Sequence, residues 1–514
     1  MSNEKNELSK DKLSIMENNL TNYIFNVSKS DIDKYVNSLI YNNDLDNDIF
    51  FNLIDLLNET LSDDGILYRN SFIRNLTLFS QKLFDNFYVH NLELKKLDTR
   101  VYDNTNNETI LYTSYFCYLY VLKILSDRKN GKNSISIELK NSKFFNEIVF
   151  NNICPHFSTY ITDFKISDYF CNIKLKSKTN HCIVSHYINA WKFKLNNSHH
   201  RISDVCELFN KFYKLKDIID QNTIDKILYN VLFQIFFSIL TMSTYKINHN
   251  DLRPANILLH GNYSKTDHFD LYIIKTKDEI LKYYLPNLGF KIKIIDFGLT
   301  HSEFVDNLQN YKAVNYCISK EAGIYPYYSD VYDQHYFIND ILTRNIDVIS
   351  PEIYLFLKSI VDDKYIGTNK TNKNICEYWR LAFPFTISHF ISKLKEDFII
   401  DIDSENILSN KYKINSIPSN VQTIIKDICV TTLTYDSDNK LETNMILIEK
   451  ILDFVNCMSD CLKSNPALLN MLIDPLDNNI NSILKPLDII KKFAMYNVDI
   501  NQDLILNTYE LSIL

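Results

Sequence analysis

The spacing of apolar side chains changes several times along this chain. Between residue 13 and about residue 98, Leu, Ile and Phe recur three and four apart (Leu53, Ile54, Leu56 and Leu57, then Leu76, Leu78, Phe79, Leu83 and Phe84), which predicts helices. From about 108 the texture is different. Thr109 to Leu125 is crowded with aromatic and β-branched residues, and Ile135 to Leu139 alternates Ile, Ser, Ile, Glu, Leu after the turn-like SDRKNGKN. That pattern predicts a hairpin with Gly131 at its bend. A helix is predicted at Lys143 to Ile153, and further strands near Phe164 to Leu175 and Cys182 to Tyr187.

The second half reads as helical almost throughout. In Thr223 to Thr244, Ile224, Ile227, Leu228, Val231, Ile235 and Ile239 share one face, while Phe233, Phe236 and Phe237 load the others. A helix apolar nearly all round is a central one. Two short apolar strands follow, Ile257 to Leu259 and Lys291 to Ile295, and helices are predicted from about 333 to the end. The polar stretch Asp401 to Asn420, with Pro418, is the best linker candidate, and no internal repeat of solenoid period occurs.

Composition narrows the class. Hydrophobic residues make up 46% of the 514 and charged residues 23%, enough apolar material for a large packed core. Only seven residues are glycine, so glycine-loop architectures are excluded, and the wealth of Asn, Ile, Lys and Tyr points to AT-rich coding. The net charge of −8 and the lack of a basic arm make nucleic acid a poor partner. Ten scattered cysteines without a C-x-x-C pair read as buried thiols in a reducing compartment. The polar first residues resemble neither a signal nor a transit peptide, and the longest apolar stretch, Val231 to Met242, is too short to cross a bilayer. A cytoplasmic protein without a transmembrane segment is expected.

Two segments carry chemistry: INHNDLRPANILL (Ile247 to Leu259) and KIKIIDFGLT (Lys291 to Thr300). Each sets an acid or amide beside a short buried strand. Asp251 lies five residues before Asn256, and Asp296 ends the second strand, followed by Phe297 and Gly298. Two carboxylates and an amide form a hard-oxygen site suited to Mg²⁺ together with substrate phosphates, and the spare carboxylate can accept a proton.

These segments resemble the catalytic loop (H-R-D-L-x-x-x-N) and the D-F-G of the protein kinase superfamily. The resemblance implies an α+β, bilobal fold, with a small mostly-β lobe, a large mostly-helical lobe, and helical extensions at both ends. It divides the chain into a helical extension (1–107), a small lobe (108–187), a large lobe (188–400) and a helical C-terminal region (401–514). It makes Asp251 the catalytic base and Arg253 the neutraliser of charge on the transferring phosphoryl group. Asn256 and Asp296 would hold Mg²⁺ against ATP. Phe297 would pack on His249, and Asp333, in YDQHYFIND, would brace the catalytic loop.

Further residues follow from the same resemblance. Ser185, His186, Tyr187 and Ile188 would form the hinge that meets adenine. Tyr120 to Lys123 resembles V-A-I-K, making Lys123 the lysine that holds the ATP phosphates. Lys140, in IELK, competes for that role, and Glu147 has the setting of the helix glutamate that pairs with it. Three departures stand out. No glycine lies between Gly65 and Gly131, so the glycine-rich phosphate lid is missing in recognisable form; Asn250 replaces the Arg of H-R-D; and 45 residues separate Asp251 from Asp296. The triplet Ser350-Pro351-Glu352 resembles A-P-E but falls late in the chain. The long gap, the H-N-D loop and the Tyr-Asp-x-His-x-Phe segment resemble serine/threonine kinases of large cytoplasmic DNA viruses. Transfer from ATP to Ser or Thr of protein substrates is the expected activity, in the host cytoplasm or the virion. Pro254 fits serine/threonine kinases, although Arg253-x-Ala255-Asn256 also has a tyrosine-kinase look. Small-molecule phosphotransfer of the choline or aminoglycoside kinase kind and a catalytically weak kinase-like scaffold are the alternatives.

Overall fold

A computed structural model of the chain describes residues 98–104, 108–115, 118–126, 132–166, 169–170, 173–174, 180–186, 188, 190–195, 198–261, 268–302, 324, 328–372, 375–376, 379–381, 398–400, 407–409, 482–493 and 504–513. Strands β1 (Asp98–Asn104), β2 (Glu108–Tyr115) and β3 (Tyr118–Ser126) are joined antiparallel, and helix α1 (Lys132–Phe150) follows them. With β4 (Tyr160–Ile166) and β5 (Asn180–His186) they form one five-stranded sheet in the order β1-β2-β3-β5-β4. Its register sets Val121 opposite Ser185 and Lys123 opposite Ile183.

Three expectations change here. The predicted helices at 13–97 lie outside the described residues, whereas the next residues form β1, so a boundary at 107 cuts through a hairpin. The antiparallel partner of β3 on this side is β2, paired as far as Tyr115 with Tyr118, and Gly131 itself lies outside the described residues. Ile135 to Leu139, expected as a strand, belongs to α1. Ile135, Glu138, Leu139, Ser142, Phe145, Asn146 and Val149 are buried and recur three and four apart, a helical face that five alternating residues are too few to reveal.

The hairpin β6 (Trp191–Leu195) and β7 (Ser198–Ile202) leads into α2 (Val205–Leu215) and α3 (Gln221–Thr244). Asp204 and Asp220 cap the two helices, accepting from the backbone N–H of Glu207 and Thr223. Among the described residues α3 is the helix long and apolar enough to cross a membrane by length and composition, and most of it is buried within the protein. Its polar positions are satisfied from inside. Gln234 donates to Asn230 Oδ1 at 2.6 Å and accepts from the backbone N–H of Ile292 at 2.9 Å, while Ser238 bonds back to the Gln234 carbonyl.

Strands beyond α3 include β8 (Ile257–Gly261), β9 (Phe269–Lys275), β10 (Ile280–Pro286) and β11 (Phe290–Ile294), and β8 pairs antiparallel with β11. Close approach favours Gly261, since a Cβ there would meet the Ala190 carbonyl oxygen and Trp191 Cα at a tight 3.1 Å each. Helices α4 (Tyr332–Arg344), α5 (Pro351–Lys358) and α6 (Pro486–Lys491) surround α3, and β12 (Ile505–Ser512) ends the described chain. Ser350 is the N-cap of α5 and Pro351 its first residue, which gives the Ser-Pro-Glu triplet a local, capping role.

The long gap between the two motifs folds as the β9–β10 hairpin, and β12 adds to β9 in parallel. The region 401–514, expected to be helical, contains strands as well as α6 among its described residues: 407–409 pair with 398–400, and the final strand belongs to the core. Tyr509 and Leu511 are buried, the Lys291 ammonium donates to the Tyr509 hydroxyl at 2.5 Å, and Asn507 bonds Asp270. Helix α6 packs on α3, with the Ile490 carbonyl accepting from the Tyr283 hydroxyl.

Candidate active site

The loop after α3 is held by one buried carboxylate. Asp333, on α4, accepts the backbone N–H groups of His249 at 2.7 Å and Asn250 at 3.0 Å. Burial pushes its carboxyl above the usual range, and those two N–H bonds oppose the shift. Asn248 reinforces the loop by exchanging two bonds with the Ser329 backbone, 2.8 and 2.6 Å. Asn250 takes a left-handed conformation (φ 65°), which Asn tolerates better than most residues, and donates to the Leu299 carbonyl at 3.0 Å. The anchorage leaves Asp251 fixed at the loop tip. The Nδ2 of Asn256 donates to both the carbonyl and the Oδ2 of Asp251, at 2.8 and 3.0 Å, and Arg253 Nε lies 3.6 Å from the same carboxylate.

Across the site, the Lys123 ammonium of β3 lies 2.7 Å from Glu138 Oε1 and 2.9 Å from Asp296 Oδ1. The helix carboxylate on Lys123 is thus Glu138. Glu147, expected in this place, is exposed. The cause is helical geometry: nine residues at 3.6 per turn rotate Glu147 to the face opposite Glu138. Lys140, the competing lysine, lies on α1 two residues beyond Glu138 instead of at a strand end.

Asp296 is left-handed as well (φ 67°) and is 41% exposed at its side chain, and the preceding Ile295 N–H donates to the Asn256 carbonyl at 3.1 Å, which brings Asp296 beside the loop. Phe297 beside it is buried between Phe145 of α1 and His249, with ring centroids 4.5 and 5.6 Å away. The His249 ring nitrogen meets the Ile295 carbonyl at 2.9 Å. One aromatic ring therefore joins the helix that carries Glu138 to the loop that carries Asp251.

Of the expected hinge residues, Ser185 and His186 end β5 and Ile188 follows, all partly exposed, and Tyr187 lies outside the described residues. The His186 N–H donates to the Thr159 carbonyl at 3.2 Å. Val121 is register partner to Ser185, so the two occupy adjoining strands at one end of the sheet.

The donor set suits a hard cation. Asn256 uses its Nδ2 toward Asp251, which leaves the Oδ1 carbonyl as an oxygen donor, and Asp296 offers a partly exposed carboxylate. Among the described residues no cluster of three His, Cys, Asp or Glu forms an all-protein metal cage. An amide and one carboxylate completed by phosphates and water is the Mg²⁺ pattern.

Two residues of the site escaped the sequence reading. Glu138 was signalled by the helical period running through 135–149. Arg380 had no local signal: it arrives from 129 residues beyond Asp251 to donate to its Oδ1 at 2.5 Å.

No family model matches this chain. It is 26% identical over 152 residues to a protein of Acanthamoeba polyphaga mimivirus that is provisionally named a serine/threonine-protein kinase; the match covers 28% of this chain and spans 32% of the relative's own length. That similarity supports the resemblance to the protein kinase superfamily. A crystal structure of a kinase domain is 15% identical, covering 76% of this chain and 92% of its own, with a TM-score of 0.28. The structure of WaaP in complex with acyl carrier protein is 12% identical, covering 41% of this chain and 66% of its own, with a TM-score of 0.24.

Proposed function

We propose that this chain is an ATP- and Mg²⁺-dependent protein kinase that phosphorylates serine or threonine on protein substrates, of the kind found in large cytoplasmic DNA viruses. The observation that carries the reading is the bridging position of Lys123, bound at once to Glu138 and to Asp296, facing a loop in which Asp251 and Asn256 are hydrogen-bonded to each other. The strand order β1-β2-β3-β5-β4, with a helix after the third strand, supports assigning this sheet and α1 as a small lobe over a large lobe centred on α3.

In this reading each side chain has one task. Lys123, fixed by Glu138, binds the α- and β-phosphates. Asn256 and Asp296 hold Mg²⁺, which when bound neutralises phosphate charge. Adenine meets the backbone at 185–188. Asp251 accepts the proton of the acceptor hydroxyl as its oxygen attacks the γ-phosphorus and the bond to the β,γ-bridging oxygen breaks. Arg253, half exposed beside that carboxylate, offsets charge on the transferring group. Pro254 at the start of the short 3₁₀ turn supports hydroxyl acceptors of the serine/threonine type.

The test is transfer of labelled γ-phosphoryl from ATP with Mg²⁺ to generic protein substrates, and separately to choline and aminoglycosides. Label on serine or threonine, reduced about 10²–10⁴-fold by Asp251→Asn, is the expected result. Label only on the small molecules moves the acceptor class. A folded protein that labels nothing overturns the reading.

A further inference from the structure

Arg380 meets Asp251 from a position that side chains of one helix brace. Its guanidinium donates to Asp251 Oδ1 at 2.5 Å and lies 4.7 Å from the centre of the Tyr336 ring on α4, and the residue as a whole is 6% exposed. The residue before it, Trp379, is left-handed with φ 61°, a conformation that costs a bulky non-glycine residue on the order of 1–3 kcal/mol and persists only where the surroundings impose it. The surroundings are visible. Asn339 donates to the carbonyls of Trp379 at 2.8 Å and Gly367 at 3.0 Å, and accepts from the Gly367 N–H at 2.8 Å. The Arg344 guanidinium stacks 3.5 Å from the Trp379 ring. His335 meets the Tyr365 carbonyl at 2.7 Å.

Those anchors all belong to α4, the helix whose Asp333 fixes the backbone of the catalytic loop. One helix thus holds the loop by its N–H groups and, by way of Trp379 and the ring of Tyr336 against Arg380, by the carboxylate of Asp251. With Arg380 on Oδ1 and Asn256 on Oδ2, neither carboxylate oxygen is at liberty to rotate. Each oxygen of an ionised carboxylate has two acceptor positions, so an incoming hydroxyl can still bond it. Arg380 is almost wholly buried and its hydrogen bond within the site is to Asp251, so its action is assigned through that carboxylate.

We infer that Arg380 is a positioning residue of the phosphotransfer site, locking the orientation of the Asp251 carboxylate toward the acceptor hydroxyl. This rests on the phosphotransfer reading above. A planar, permanently charged guanidinium stacked on a ring gives a defined direction that a lysine ammonium reproduces only in part. Misplacing a reacting group by about 1 Å costs on the order of 10²-fold in rate.

The experiment pairs kinetics with stability in the full chain, using Arg380→Gln, Arg380→Lys, Asp251→Asn and the double variant Arg380→Gln/Asp251→Asn. Arg380→Gln is expected to lower kcat about 10²-fold with KM for ATP unchanged, and Arg380→Lys to recover part of the loss. Melting temperatures of the two single variants and the double variant should be non-additive, as for residues in contact. Full kcat in Arg380→Gln, a kcat above wild type, or additive melting shifts would each overturn the inference. A wild type inactive on every acceptor overturns the phosphotransfer reading instead, and with it the role given to Arg380.

Discussion

Lys123 and Glu138 stand 15 residues apart on β3 and α1 and meet at 2.7 Å, with Asp296 completing the contact from the other side of the site. Both partners are largely withdrawn from solvent, at 16% and 9% side-chain exposure, so the pair is held with little competition from water. A hydrogen bond between charged groups contributes about 1.5–3 kcal/mol, or roughly 10- to 150-fold in a rate or binding constant. Glu138→Gln should lower kcat/KM for ATP by that order, whereas Glu147→Gln should leave it unchanged. Steady-state kinetics on both variants decide the assignment, and the reverse pattern would return the role to Glu147.

The Asn250 side chain tethers the start of the segment after D-F-G by a neutral bond to Leu299, in a place where the related pattern has a cation for a phosphorylated residue. Transfer activity is therefore expected to be indifferent to phosphatase treatment. Loss of activity on dephosphorylation would show that a phosphate performs part of this tethering.

Asp163 on β4 accepts from His181, from Tyr160 and from Lys143 of α1, and these contacts, that with His181 foremost, hold its carboxyl well below the usual carboxylate range. A carboxyl depressed in the folded state stabilises it fully above its unfolded value, about 3.9, and loses that contribution as pH falls toward the folded value. Acid unfolding followed by tryptophan fluorescence should be less steep below about pH 4 in Asp163→Asn than in wild type. The carboxylate is partly exposed, so a modest change is expected. Identical acid limbs would contradict the linkage.

Tyr509 ties the end of the chain to the strand that leads into Asp296. It is fully buried, lies 5.0 Å from the Tyr272 ring, and takes the Lys291 ammonium on its hydroxyl. Tyr509→Ala should cost about 3–5 kcal/mol, in line with other buried aromatic truncations. Denaturant unfolding measures this, and a variant as stable as wild type would show that β12 is dispensable.

Much of this was legible in local sequence. The His249 to Asn256 loop, the Asp296-Phe297-Gly298 turn and the all-round apolar α3 each announce themselves within a few residues, and the structure puts Phe297 against His249 and Asp333 under the loop backbone as those patterns imply. The misses have a common cause. The face of α1 that holds Glu138 emerges only when the window reaches Val149, and five alternating residues favoured a strand. The parallel pairing of β12 with β9 joins segments more than 230 residues apart, and Arg380 crosses 129 residues to Asp251. Such contacts are chosen by tertiary packing, and no local period or motif encodes them.

The most direct measurement of the central claim separates nucleotide binding from transfer in one protein. Wild type, Asp251→Asn and Asp296→Asn are titrated with ATP in the presence and absence of Mg²⁺, then followed through a single turnover with labelled ATP and a protein acceptor. The account predicts that Asp251→Asn binds ATP as wild type does but loses transfer about 10²–10⁴-fold, and that Asp296→Asn loses the Mg²⁺-dependent part of binding. Transfer by Asp251→Asn at the wild-type rate, or Mg²⁺-dependent binding kept in full by Asp296→Asn, would contradict it.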